Sequence, residues 1–135
     1  MSAASNYLEN AVLDHVLKNT ALTQPTNLYV GLFTNDSTNA AANLEAGTLT
    51  DEVSGGAYAR KTIAFGAASG GSASNSATVT FDAATANWGT ITHVAVMDAV
   101  SGGNVLFYGA VTTSKTIETG DTFQISSGNL TISLA

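Results

Sequence analysis

The sequence predicts a mainly β protein, an antiparallel β-sandwich or flattened barrel of about seven or eight strands with one N-terminal α-helix. Three observations support this prediction. Short runs of β-branched and aromatic residues recur along the chain, segments rich in glycine, serine and asparagine separate them, and helical periodicity is clear only near the N-terminus. At 135 residues we interpret the whole chain, 1–135, as a single β-rich domain that buries a useful core without disulfides.

The N-terminal helix is predicted over residues 6–18. Asn6 can cap its first turn, and Glu9 follows three residues later as in a capping box. Pro25 prevents the helix from continuing. Apolar residues recur at helical spacing, so the helix needs a surface to cover. They are Leu8, Ala11, Val12 and Val16, widened by Leu13 and Leu17, with His15 on the same stripe.

The first strand is predicted over residues 27–34, a run that is apolar on both faces and therefore belongs near the centre of a sheet. Residues 35–57 show no clear periodicity, apart from a short helical turn expected over Ala40 to Ala46. A structureless stretch of this length is uncommon inside a compact domain. We therefore interpret residues 35–57 as a long loop or arm that makes binding contacts.

A hairpin is the clearest prediction in the second half of the chain. Residues 91–97 and 105–111 are β-rich and apolar on both faces, and residues 98–104 between them supply glycines and turn-forming side chains. We therefore place this hairpin inside a sheet, beside the first strand. Further strands or short pairings are predicted over residues 58–65, 77–82, 115–118, 122–126 and 129–134, with an exposed loop at residues 66–76.

The charge and hydropathy of the chain argue against nucleic acid and membrane as partners. Ten acidic residues face four basic ones, giving a net charge of −6 with only 10% charged residues. Because affinity for nucleic acids depends on clustered lysine and arginine, we expect no direct nucleic-acid binding. No segment approaches the roughly 20 apolar residues of a membrane helix, and the N-terminus has no signal-peptide pattern. We expect synthesis in the cytosol, a soluble protein and no membrane partner.

The sequence contains no motif that supports catalysis, metal binding or cofactor binding. There are no cysteines, and neither His15 nor His93 lies in an HxH or HExxH pattern, so both are predicted to be packed residues. No serine lies in a G-x-S-x-G elbow, and the three Ser-Gly-Gly segments are better explained as turns than as phosphate loops. We predict no catalytic residue, no metal and no cofactor. A small hydrolase or lyase is the enzymatic alternative, for which no nucleophile and base have workable spacing.

Five segments carry a family resemblance through their order and spacing. They are SNYLENAVLDHVL in the helix, LYVGLFT (Leu28 to Thr34), EVSGGAYAR (Glu52 to Arg60), ANWGTITHVAV (Ala86 to Val96) and LFYGAVTTSKT (Leu106 to Thr116). Together they resemble a family of small tailed-bacteriophage virion proteins, whose members are described as tail-fibre-like, tail-associated or head decoration proteins. The resemblance covers most of the chain and implies an accessory structural role in a phage particle.

Our leading hypothesis is a non-enzymatic virion protein made in the host cytoplasm, a cement or decoration protein on the outer surface of the capsid. Its expected partners are the major capsid protein or neighbouring virion subunits, and we expect a homo-oligomer, with a trimer favoured. The alternative is a tail or tail-fibre-associated protein that binds the host surface. A weakly charged surface suits either role, because it can be covered by neighbouring subunits.

Five residues are assigned to the expected interface. Trp88 combines a large apolar area with one N–H group, which suits either the edge of a core or a contact with another chain. The other four are Asp51, Glu52, Tyr58 and Arg60, which lie in or next to the predicted arm and include its acidic pair and the local basic spot.

Overall fold

The computed structural model describes residues 2–134. Within them, nine strands in antiparallel sheets and two helices confirm the mainly β prediction. In chain order the elements are β1 (Ala3–Ala4), α1 (Asn6–Leu17), β2 (Leu28–Phe33), α2 (Ala40–Ala46), β3 (Lys61–Ile63), β4 (Ser72–Ser74), β5 (Val79–Thr80), β6 (Gly89–Met97), β7 (Val105–Ile117), β8 (Gln124–Ile125) and β9 (Thr131–Ser133).

One five-stranded sheet, ordered β1-β7-β6-β2-β3, organises the chain, and β4–β9 and β5–β8 form two small sheets. The β6–β7 hairpin lies at the centre of the five-stranded sheet. β2 pairs with β6, with Val30 opposite Val96 and Leu32 opposite Val94. The predicted hairpin and the position of the first strand are confirmed. β7 is longer than predicted, because the short pairing expected near Lys115 continues the same strand opposite Ile91.

The central sheet buries side chains on both faces. On one face, Val30, Leu32 and Val94 belong to the larger core, together with Phe81 and Trp88. β5 and β8 pack over this face, which gives a sandwich-like arrangement. On the other face, a smaller core lies between the sheet and α2 and contains Phe33, Leu44, Ala95, Met97 and Val105.

The segment 35–57 is a long connection that outside α2 forms no helix or strand element, and it packs on the body of the chain instead of projecting as an arm. The helical turn expected over Ala40–Ala46 is present as α2, and Ala40 and Leu44 are each 1% exposed. The backbone N–H of Val53 also donates to the carbonyl of Leu32 at 3.1 Å. Sequence periodicity missed this packing, because a helix of two turns offers only two apolar positions to the core.

Leu44→Ala should lower the free energy of unfolding by about 2–5 kcal/mol, because the cavity would open in the smaller core. The matched control is Val100→Ala in the turn between β6 and β7, where the side chain is 58% exposed and a change within about 0.5 kcal/mol is expected. Urea denaturation followed by the fluorescence of Trp88 measures both variants. Equal losses for the two variants would show that α2 is not part of the folded core.

α1 begins at Asn6 as predicted, but its N-cap lies one residue earlier than expected. Ser5, not Asn6, is the N-cap, and its Oγ accepts a hydrogen bond from the N–H of Leu8 at 3.3 Å. Ser5 is fully buried, and its hydroxyl donates to the carbonyl of Val105 on β7. The attachment to β7 fixes where the helix starts, and local sequence preferences could not reveal it.

Candidate functional site

The five residues assigned to the interface lie largely within the packing of their own chain. Asp51, Arg60 and Trp88 are buried, and Glu52 and Tyr58 are half-buried. Four of them contact one another in one cluster, namely Glu52, Tyr58, Arg60 and Trp88. Asp51 is next to Glu52 in the chain but forms its hydrogen bonds with Ser37.

Trp88 is a core residue at the mouth of the β6–β7 hairpin. Its ring lies edge-on to Tyr58, with 5.5 Å between ring centroids and 84° between ring planes. Its Nε1–H donates to the carbonyl of Gly56 at 2.8 Å. Gly56 has a φ of +57°, and a Cβ there would lie 2.9 Å from Trp88 Nε1, so the turn requires glycine at this position. Of the two readings that the sequence left open for Trp88, the structure selects the core.

Glu52 and Arg60 form a two-pronged ion pair inside this cluster. Arg60 Nε lies 2.6 Å from Glu52 Oε2, and Nη2 lies 2.7 Å from Oε1. The remaining nitrogen, Nη1, donates to the carbonyls of Ala99 and Gly102 at 2.7 and 2.8 Å. One guanidinium therefore ties the segment before β3 to the turn between β6 and β7, a geometry that a lysine could not reproduce.

The Tyr58 hydroxyl joins the aromatic contact to the ion pair. It donates to Glu52 Oε2 at 2.8 Å and accepts the backbone N–H of Leu32 at 3.0 Å. Burial, followed by the negative charge of Glu52, raises the pKa of Tyr58 far above its ordinary value. The hydroxyl therefore remains a hydrogen-bond donor throughout the physiological pH range.

Asp51 performs a separate local task. Its Oδ1 accepts the backbone N–H of Ser37 at 3.0 Å, and its Oδ2 accepts the Ser37 hydroxyl at 2.5 Å. These bonds hold the loop before α2 against the strand-like segment that follows it. The five residues thus organise the connections of the fold, and their contact with a partner stays a prediction.

The described residues leave a different surface open, on α1. Although the sequence predicted one covered apolar stripe, none of the helix's residues is buried. Leu13, Val16 and Leu17 are 54%, 70% and 79% exposed, and we call these three residues the α1 ridge. At roughly 100° per residue, Leu17 points about 180° away from Leu8, so the helix cannot cover both against one body. This wide apolar arc is the sequence signal that could have identified the ridge.

A concave apolar surface lies beside the inner side of the same helix. This groove, which we call the α1 groove, has a volume of about 810 Å³ and runs between α1, the segment 22–28, the segment 65–73 and β9. Leu8 and Val12 form its helical wall, and Tyr7 and Leu134 at its rim are 44% and 58% exposed. Side chains from the central sheet form its floor, namely Val96, Leu106 and Phe107.

The two histidines occupy different environments. His93 is half-buried, and its Nδ1 lies 2.8 Å from the Thr92 hydroxyl. Burial lowers the pKa of His93, and the negative charge of Asp51 opposes this effect. His15 is exposed, with Nδ1 3.0 Å from the carbonyl of Thr20, so its prediction as a packed residue is wrong. It lies in the last turn of α1 and lines the α1 groove.

Among residues 2–134, no group of three or more His, Cys, Asp or Glu side chains is arranged to hold a metal ion. No helix in the same part of the chain is long and apolar enough to cross a membrane.

Stability should fall at alkaline pH through Tyr108, whose hydroxyl donates to Glu45 on α2. Burial, and then the hydrogen bond and charge of Glu45, raise the pKa of Tyr108 from 10.0 to about 12. Because the folded-state pKa lies above the unfolded one, this contribution is complete below pH 10 and is lost as the pH rises toward 12. Thermal melting between pH 8 and 12 should show a steeper loss for the wild type than for Tyr108→Phe. Parallel curves would contradict the prediction.

Comparison with known proteins gives one family. A family model described as "Podophage GP4 fiber I protein gp80" matches residues 3–133, nearly the whole chain. A search of curated proteins returned no match.

Proposed function

This chain belongs to the podophage GP4 fiber I protein gp80 family, a family of phage virion structural proteins, and we propose that it is a non-enzymatic subunit of a phage fibre that acts by packing against other virion subunits. Its location would then be the virion, at the fibre. The family description favours the fibre over the capsid surface, which was the leading hypothesis from the sequence.

The observation that carries this proposal is the open apolar surface around α1. The ridge exposes large aliphatic side chains on the helix, and the adjoining groove offers a concave apolar surface. Large apolar patches of this kind on a folded chain mark sites of protein association. The helix is held at its start by Ser5 and β1, so it presents the ridge from a defined position.

The use of polar side chains also supports a non-enzymatic role. Glu52, Tyr58 and Arg60 form one cluster and make their hydrogen bonds to one another and to backbone groups. Asp51 does the same with Ser37. These side chains fix loops in place, which is what a structural subunit without disulfides requires.

A capsid cement or decoration protein is the second candidate, and the outer edge of β7 favours it. β1 pairs only with Phe107 and Tyr108, so within the described residues β7 has no neighbouring strand on that edge from Gly109 to Thr116. An open strand edge can receive a strand from a neighbouring subunit, as a protein embedded in a lattice would need. Lys115 on this stretch works against such pairing, since charged residues discourage edge contacts.

Purified phage particles test the two candidates. If the protein is a fibre subunit, imaging with a labelled copy should place it on fibres, with far fewer copies than the major capsid protein. Comparable copy numbers, with the label spread over the head, would establish the cement role in its place. Absence from mature particles would overturn both.

The surface itself is tested by incorporation into particles. Leu17→Asp should reduce incorporation strongly, because a carboxylate cannot be buried without a partner. Val100→Asp is the matched control, since Val100 is also largely exposed, at 58%, but lies in the turn between β6 and β7. Normal incorporation of both variants would show that the α1 surface does not hold the subunit in the virion.

A further inference from the structure

We propose that a cleft beside β7 receives an extended segment of a different virion protein, with apolar side chains at alternate positions and a carboxylate that meets Lys115. This surface, which we call the β7 cleft, lies between β7 on one side and β8 and β9 on the other, and has a volume of about 590 Å³. The inference goes beyond the proposed function, because the β7 cleft shares no residue with the α1 ridge and either surface can bind a partner alone.

The three strands that line the β7 cleft are all edge strands. Among the described residues, β8 pairs only with β5, and β9 pairs only with β4. The outer edge of β7 carries β1 at Phe107 and Tyr108 and no strand from Gly109 to Thr116. Backbone N–H and C=O groups on such edges can bond to water or to another main chain. A cleft bordered by three edge strands therefore favours an extended peptide over a ligand that has no main chain.

β7 also forms a bulge along the cleft. Between its pairings with Ile91 and His93 of β6, β7 has four residues, 111–114, where β6 has one. Thr112 and Thr113 in this bulge are exposed and line the cleft. Because a bulge interrupts regular pairing along an edge, it discourages association with an arbitrary flat strand. The bulge therefore restricts the cleft to a segment that matches its shape.

The floor of the β7 cleft is apolar and incompletely covered. Val111, Ile125 and Leu130 line the cleft and are only partly buried where they pack against the larger core. Gly109 lies opposite Val94 in the sheet, so it belongs to the same face and contributes no side chain to fill the cleft. Alternate side chains of an inserted strand point to one face, so they would extend the larger core while the others remain in water.

The charge of the β7 cleft selects an acidic segment. Lys115 is the only charged residue that lines the cleft, in a chain with ten acidic and four basic residues. Within residues 2–134, neither Lys115 nor Lys18 has a carboxylate at ion-pair distance, but Lys18 lines neither the cleft nor the α1 groove. Opposite charges on neighbouring strands attract and like charges repel. Lys115 therefore opposes pairing with a basic strand and accepts one that carries a carboxylate.

Photo-cross-linking in purified particles tests for the segment. One variant carries p-benzoylphenylalanine in place of Thr113 in the cleft, and the control carries it in place of Val100 in the exposed turn between β6 and β7. Irradiation should join position 113, but not position 100, to one segment of a different virion protein. Mass spectrometry should find alternating apolar residues and a carboxylate in that segment. A cross-link to another copy of this chain, or no cross-link at all, would overturn the proposal.

Peptide binding to the isolated chain tests the charge. The probe is a short synthetic peptide in which valine alternates with threonine and one threonine is replaced by aspartate, and a second peptide carries lysine at that position. The aspartate peptide should bind about tenfold more tightly at low salt, because the contact with Lys115 changes from attraction to repulsion in the lysine peptide. Lys115→Glu should reverse this preference. The matched control is Lys18→Glu, the same charge change at an exposed lysine outside the cleft, which should leave the preference unchanged.

The position of the bound peptide is measured by amide chemical shifts. These should change along residues 111–115 and at Ile125 when the aspartate peptide binds. Changes confined to α1 would place the peptide in the α1 groove and overturn the proposal. Equal affinities of the two peptides, a preference that Lys115→Glu does not alter, or no binding of either peptide at about 1 mM would contradict it as well.

The inference and the proposed function fail in different ways. If Leu17→Asp is lost from particles but position 113 forms no cross-link, the α1 surface holds the subunit and only the cleft inference is wrong. If position 113 forms the expected cross-link and Leu17→Asp is incorporated normally, the cleft binds its segment and the proposed role of the α1 surface is wrong.

Discussion

Trp88→Ala should lower the free energy of unfolding by about 3–5 kcal/mol, one of the two largest losses expected for any single change in this chain. The indole is 5% exposed and packs against Tyr58 and Phe81 in the larger core. Its removal opens a cavity between the sheet and the turn at Gly56, whose carbonyl also loses its hydrogen-bond donor. Both effects act in the same direction.

Two further variants separate the contributions. Trp88→Phe keeps an aromatic ring but leaves the Gly56 carbonyl without its donor, for a loss of about 1–3 kcal/mol. Val100→Ala, on an exposed turn, should change stability by less than about 0.5 kcal/mol. Urea denaturation should be followed by far-ultraviolet circular dichroism, because Trp88 is the only tryptophan. A loss for Trp88→Ala no larger than that for Val100→Ala would show that the residue is not in the core.

The elements that could be predicted from sequence are those whose shape is set by local chemistry. β2 and the β6–β7 hairpin combine β-branched runs with turn residues, and the turn at 98–104 is closed by Asp98 and Asn104 as its composition suggested. Their central position followed from apolar residues on both faces.

The elements that could not be predicted depend on contacts between distant parts of the chain. Ser5 is the helix cap because β7, a hundred residues away, accepts its hydroxyl. Leu44 is buried because it packs with Phe33 and Met97 in the smaller core. No local pattern contains this information, since a short helix and a loop have similar composition.

The candidate site was missed for a related reason. The sequence assigns Asp51, Glu52 and Arg60 to an interface because they lie in or next to the predicted arm. In the folded chain, Glu52 and Arg60 neutralise each other and Asp51 bonds to Ser37, so that their burial is permitted. The exposed α1 ridge could have been found, because apolar residues on opposite sides of one helix imply two different neighbours.

Arg60→Ala should also cost about 3–5 kcal/mol of folding stability, because it leaves a partly buried carboxylate without its counter-ion. The side chains of Arg60 and Glu52 are 2% and 16% exposed, so water can replace little of what is lost. The carbonyls of Ala99 and Gly102 lose their donor in the same step. The turn between β6 and β7 should therefore loosen together with the Glu52 segment.

The neighbouring residue supplies the control. Lys61 also forms an ion pair, 3.0 Å from Asp82, but these two side chains are 30% and 66% exposed, and Lys61→Ala should cost less than about 1 kcal/mol. Replacing both Arg60 and Glu52 by apolar residues, as in Arg60→Met with Glu52→Leu, should recover much of the loss, because no buried charge remains unpaired. Urea denaturation measures the free energy of unfolding of the three variants. If Arg60→Ala and Lys61→Ala lose equally little stability, the buried ion pair does not hold the turn to the body of the fold.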